Sequence, residues 1–190
     1  MITKTKTMIK VGIAILATAI ILLGIGAIYI HHNLSTYFIY YAKHIPHAEG
    51  TNPEMVFILD HLDDMEESSI KGLRYDTDGY NAIIKDDSFS IRQGAFITSA
   101  KYEISIYKGT DEEMYRLYFF DKSGKFYSYY YQKADVWKDV YDKSDIRKQE
   151  AQRYVDEVIN PIVEKMEIKP KVNLQWWFNK KYQERFTLNN

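Results

Sequence analysis

The chain of 190 residues contains no cysteine. That absence excludes disulfide staples, an acylated cysteine anchor and a thiol nucleophile. Missing too are the strings that carry common chemistries: there is no HExxH, no GxSxG elbow and no glycine-rich loop to cradle phosphate. Paired carboxylates are plentiful, so spacing singles out no acid and base. The expectation is a protein without catalysis, cofactor, metal or small-molecule substrate. No acidic residue precedes Glu49, and the charges ahead of the first apolar run are Lys4, Lys6 and Lys10 alone. Removing those three from the 25 basic residues leaves 22 against 26 acidic ones, a formal charge of −4 for the remainder. A nucleic acid is therefore not an expected partner.

What is present begins with an uncharged run from Val11 to Ile30. At about 1.5 Å per residue it makes a helix as long as a bilayer's hydrocarbon core is thick. It is too long for the apolar core of a cleavable signal peptide, and its small-x-small pattern, Ala17-Thr18-Ala19, lies in mid-run. The expectation is an uncleaved single-pass anchor in the cell membrane. The three lysines hold the N-terminus in the cytoplasm and leave everything after His31 extracellular. Tyr29, His31, His32 and Tyr37 suit an interfacial belt, whereas Gly12, Gly24 and Gly26 lack a clean helix-pairing spacing. The expected organisation is a tail over 1–10, an anchor over 11–30, a juxtamembrane stalk over 31–51 and one domain over 52–190.

Within that domain Asn52-Pro53-Glu54 marks a helix start, and Met55, Ile58, Leu59, Leu62 and Met65 recur at helical spacing, predicting a helix that ends near Glu67 with an acidic outward face. The period then shortens to that of strands. Segments 70–75, 80–85, 89–93, 96–107, 114–120 and 126–131 are separated by short turns, among them Asp76-Thr77-Asp78-Gly79 and Asp121-Lys122-Ser123-Gly124. Such short connections require an antiparallel meander. A second helical region is expected from near Ala134, capped at Ser144, broken or kinked at Pro161 and closed by Pro170. A last hairpin is expected from 172–178 and 182–188. The expected fold class is α+β: an N-terminal transmembrane helix, then one domain with an antiparallel meander sheet backed by helices on one side. Seventeen tyrosines suggest exposed sheet faces or an interface.

Few residues invite a specific role. Asp76-Thr77-Asp78-Gly79 begins like a calcium loop, but Tyr80 and Asn81 stand where a ligand and the turn glycine belong, so a hairpin turn is the reading. His44 and His47 flank Pro46, which rules out the helical spacing of a metal pair, and His61 beside Asp60 reads as a solvated helix face. On a strand, Trp176 and Phe178 would share one face and Trp177 the other, exposing at least one large aromatic as a binding anchor. The acidic stretch offers charge complementarity to a basic protein. The expected protein-binding residues are Asp63, Asp64, Glu66, Glu67, Tyr129, Tyr131, Trp176 and Trp177.

The anchor Val11–Ile30, the stretch Phe57-Ile58-Leu59-Asp60-His61-Leu62-Asp63-Asp64-Met65-Glu66-Glu67 running into Ile70-Lys71-Gly72-Leu73-Arg74-Tyr75, and the hairpin Phe119-Phe120-Asp121-Lys122-Ser123-Gly124-Lys125-Phe126-Tyr127 together make the chain resemble the TipC family of streptococcal immunity proteins. The resemblance covers most of the chain in arrangement, and no family site residue transfers position by position. It implies an outward-facing protein of a Gram-positive cell. Such a protein binds and blocks a toxin exported through the type VII secretion pathway, one that attacks a lipid-linked cell-wall precursor, and it uses a concave sheet face. The alternative expectation is a bitopic envelope sensor or an accessory subunit of a secretion or cell-wall machine.

Overall fold

The computed structural model describes residues 2–65, 70–95, 98, 100–108, 114–133, 136–140 and 144–187. Helix α1 (Ile2–Thr36) runs through the apolar segment and past it. Its Lys10–Thr36 portion is long and apolar enough to cross a membrane. The Thr18 hydroxyl donates to the Ala14 carbonyl at 2.9 Å, so it makes its hydrogen bond inside the helix.

Residues 31–51, expected to form a stalk, instead enter the domain. After a break at Tyr37, helix α2 (Phe38–Lys43) follows. Asn33, Leu34, Ile39, Tyr41, Ala42 and Ile45 are all buried. The reason is the aromatic and apolar content of Tyr37–Tyr41, which gains more by packing than by standing in water. The Tyr41 hydroxyl donates to Asn33 Oδ1 at 2.6 Å and accepts the Leu174 amide at 3.1 Å, tying the end of α1 to the C-terminal segment.

Helix α3 (Pro53–Asp60) starts at the predicted proline but stops about two turns early, at a 3-10 turn over Leu62–Asp64. Met55, Val56, Phe57, Ile58 and Leu59 are all buried. A short helix that is apolar on every side belongs in the middle of a core, so α3 has no acidic outward face. The Asn52 side chain makes no cap bond; it donates to the Gly124 carbonyl at 2.7 Å and accepts from Gln152 Nε2 at 2.8 Å.

The fold is α+β. Seven strands follow one another as an antiparallel meander: β1 (Leu73–Asp76), β2 (Ala82–Lys85), β3 (Phe89–Gln93), β4 (Tyr102–Lys108), β5 (Met114–Phe120), β6 (Phe126–Lys133) and β7 (Val136–Val140). Ile83 pairs with Ile91, Ile91 with Ile104, Ile104 with Tyr118 and Tyr118 with Tyr129, and this row faces the helices. The β5–β6 turn is pinned by Asp121, whose carboxylate accepts the Ser123 amide at 2.7 Å, the Ser123 hydroxyl at 2.6 Å and the Lys125 amide at 3.0 Å. At the β1–β2 turn the Asp78 amide donates to Asp76 Oδ1 at 3.1 Å, the bond of a hairpin turn.

Two C-terminal expectations are overturned. The helical region expected from Ala134 begins instead with β7, where Val136 and Val140 supply β-branched residues at period two, and helix α4 runs from Asp145 to Met166. Its cap is Ser144, as expected, and Pro161 lies inside it without dividing it, between the buried pairs Val158–Ile159 and Ile162–Val163. The last hairpin is absent; α5 (Gln175–Tyr182) and α6 (Glu184–Thr187) stand there. Phe178, Tyr182 and Phe186 recur every four residues, the spacing of one helical face, and close around Phe57 with ring centroids 4.9, 5.0 and 5.8 Å away.

Candidate partner-binding surfaces

The acidic stretch does not behave as one surface. Asp60 is drawn inward: its Oδ1 accepts Gln93 Nε2 at 3.0 Å and the Tyr102 hydroxyl at 2.7 Å, and its Oδ2 accepts Arg185 Nη1 at 2.9 Å. This network joins the end of α3 to β3, β4 and α6. Burial pushes the Tyr102 phenol well above its ordinary value, against the opposing charge of Arg185. His61 pairs with Asp64 rather than Asp60, with Nδ1 and Oδ2 3.5 Å apart. Asp63 and Asp64 are exposed on the 3-10 turn. Glu66 and Glu67 lie outside the described residues.

The two sheet tyrosines are unsuited to docking. Tyr129 is only 3% exposed, with the Arg147 guanidinium of α4 lying 4.4 Å above its ring. Tyr131 is half-buried and stacks on Tyr129. The same patch holds Glu150, which accepts from Arg147 Nη1 at 2.6 Å and from Arg116 Nη1 at 3.2 Å. Burial alone would raise the Glu150 carboxyl, but the Arg147 hydrogen bond and the charges of Arg147 and Arg116 hold it below the ordinary glutamate range. Burial also raises the Tyr118 and Tyr129 phenols beside it.

Trp176 and Trp177 are both exposed, at 61% and 39%, with rings edge to face 5.0 Å apart. They reach solvent because both lie off the Phe178–Tyr182–Phe186 stripe, not because strand alternation separates them. The sheet face away from the helices is not an open aromatic surface at its centre. Glu103 is fully buried there, 3.2 Å from Arg92 Nε and accepting the Ser105 hydroxyl at 2.6 Å. Beside it Leu117 and Phe119 pack with Ala95, Ala100, Tyr127 and Tyr130 as a second small core. Both faces of β5 are therefore covered, which its non-alternating Leu117-Tyr118-Phe119-Phe120 run indicates in retrospect.

Two grooves remain. One, of about 720 Å³, lies between the segment from Lys43 to Met55 and α4; acids at its rim include Glu49, Glu54, Asp145, Asp156 and Glu164. Two lysines also line it, Lys43, which is held by Glu167 at 2.7 Å, and Lys148. The other, of about 610 Å³, lies between α1 and α5 and includes Trp177. Residue-by-residue reading missed both, since each is formed by segments far apart in sequence. Among the described residues no three His, Asp or Glu side chains are grouped to hold a metal ion, and His44 and His47 instead meet the nearby Tyr40 and Ile45 carbonyls at 2.7 and 3.0 Å. Comparison with protein-family models, with curated proteins and with solved structures finds no match to this chain.

Proposed function

We propose that the chain is a single-pass, outward-facing immunity protein of the cell membrane, which binds and blocks an exported antibacterial toxin acting on a lipid-linked cell-wall precursor. The observation that carries this reading is the junction between helix and domain. Asn33 and Leu34, in the last turns of the apolar helix, are buried in the domain core, with no linker between them and the fold. A membrane-spanning α1 therefore holds the domain against the lipid surface, where such a toxin meets its substrate. Tethering raises the blocker's effective concentration there. The lysines at positions 4, 6 and 10 support the outward orientation, and the resemblance to TipC proteins supports the choice of partner. The exposed Asp63 and Asp64 and the acid-rimmed groove beside α4 are the charged surfaces offered to a basic toxin face.

The test is contact competition. A strain lacking this protein should lose to its toxin-exporting parent, and restoring the full chain should reverse the loss. Equal survival of the deleted strain overturns the proposal, and a secretion or growth defect in pure culture would point to an accessory subunit instead.

A further inference from the structure

Outside α1 the described residues expose six large hydrophobic side chains, and four of these, Ile168, Val172, Trp176 and Trp177, fall within one stretch of ten residues. Lysines 169, 171, 180 and 181 accompany them, all exposed, and no acid occurs between Ile168 and Tyr182. Tryptophan beside lysine on one exposed surface is the composition of a membrane interface. This stretch is fastened to the outer end of α1 and to α2: Asn33 Nδ2 donates to the Val172 carbonyl at 3.2 Å, and Gln175 Nε2 donates to the Tyr41 carbonyl at 3.0 Å.

The groove between α1 and α5 suits such a surface. Its α1 wall is apolar from Leu22 to Ile30, and polar groups enter only toward the domain, where His31 and Ser35 alternate with Leu34 and Phe38; Trp177 and Lys181 contribute from α5. Leu22 to Ile30 covers about 12 Å of helix, close to one leaflet's share of a hydrocarbon core about 30 Å thick.

We propose that this groove and its Trp–Lys flank bind an anionic phospholipid of the outer leaflet, with an acyl chain along Leu22, Leu23 and Trp177 and the phosphate near Lys180 and Lys181. The inference rests on α1 spanning the membrane. Its consequence is that the domain sits on the bilayer at a fixed tilt, gripped at two points, instead of swinging from a single helix.

The test uses the full chain reconstituted in vesicles of phosphatidylcholine and phosphatidylglycerol with brominated acyl chains, which quench tryptophan on contact. Of the three tryptophans, Trp137 lies on β7, remote in sequence from the groove. The variant Trp137→Phe should lose emission by about twofold or more in brominated vesicles, as interfacial rings do, and Trp176→Phe/Trp177→Phe should be little affected. Replacing phosphatidylglycerol with phosphatidylcholine, or Lys180→Glu/Lys181→Glu, should weaken the quenching. Equal, weak quenching in the two tryptophan variants overturns the proposal. Adding Leu23→Trp to the double variant separates the two readings. Quenching there, but not of Trp176 and Trp177, overturns the lipid site and leaves the anchor standing; no quenching at either place overturns both. Disulfide dimers of Ala27→Cys, formed while Trp177 stays unquenched, would place a second copy of α1 in the groove and likewise overturn it.

Discussion

At the residue scale, two glycines with the same backbone requirement separate conformational strain from packing. Gly79 and Gly124 both have positive φ, 95° and 73°. A Cβ at Gly79 meets nothing within 4 Å, whereas one at Gly124 would lie 3.0 Å from both the Asn52 carbonyl oxygen and Val56 Cγ2. Gly79→Ala should therefore cost about 1 kcal/mol, the left-handed penalty alone. Gly124→Ala should cost about 2–4 kcal/mol, because the hairpin must also withdraw from the start of α3. Denaturant unfolding of both variants measures the difference, and equal losses would contradict the packing of this turn. The titrating groups give a second residue-scale prediction. Glu150 titrates below the unfolded glutamate value of about 4.3, so its contribution to stability is complete above that pH and is lost as pH falls through the folded value. Tyr41, Tyr102, Tyr118 and Tyr129 are raised, mainly by burial. Their contribution is complete below the unfolded tyrosine value of about 10 and is lost as pH rises through the folded values. A stability profile against pH should fall at both ends, and Glu150→Gln should flatten the acid limb and also soften the alkaline one, because after burial the Glu150 charge helps to raise the Tyr118 and Tyr129 phenols.

At the element scale, the C-terminal helices depend on one aromatic stripe. Phe178 and Phe186 are buried against Phe57, whereas Trp176 projects outward from the same helix. Phe178→Ala should cost about 3–5 kcal/mol as a core cavity, and Trp176→Ala should stay within about 0.5 kcal/mol; thermal unfolding in detergent compares them. The same helices show what the sequence made legible. Strands β3 and β5 match their expected bounds because local β-propensity, flanking turns and burial all agree there. Around Trp176 they disagree: the Trp-Trp-Phe run has strand propensity, but its packing partners Tyr182 and Phe186 lie at helical spacing, and tertiary packing decides. That a large aromatic is exposed here was legible, but a strand would have buried either Trp176 or Trp177, and the helix exposes both. The burial of Tyr129 was not, since the face of β6 that α4 covers depends on the register of the whole sheet. The acidic stretch misled for a related reason: Asp60 has a half-buried partner, Arg185, 125 positions away.

At the scale of the whole molecule, the membrane helix and the domain share residues, and this locates the boundary of the folding unit. If 31–51 were a stalk, a chain starting at Asn52 would fold unaided. Such a chain lacks Leu34, Ile39, Tyr41 and Ile45, each buried in the main core. At about 1.5–3 kcal/mol for each large side chain fully buried, their loss rivals the whole net stability of a domain, about 5–15 kcal/mol. Removing Tyr41 also leaves the Leu174 amide without its observed partner at the start of α5, and the Gln175 side chain with Asn179 but not Tyr41. Chains starting at His31 and at Asn52, expressed side by side, should therefore diverge. The longer one keeps the Asn33–Tyr41–Val172 contacts and should give a cooperative unfolding transition. The shorter one should be expanded on gel filtration, with weak near-ultraviolet dichroism and fast proteolysis at α5. A compact, cooperatively unfolding chain from Asn52 onward would return residues 31–51 to the role of a spacer. It would also remove the junction that holds the domain at the membrane surface, on which both the blocking function and the lipid contact at α5 depend.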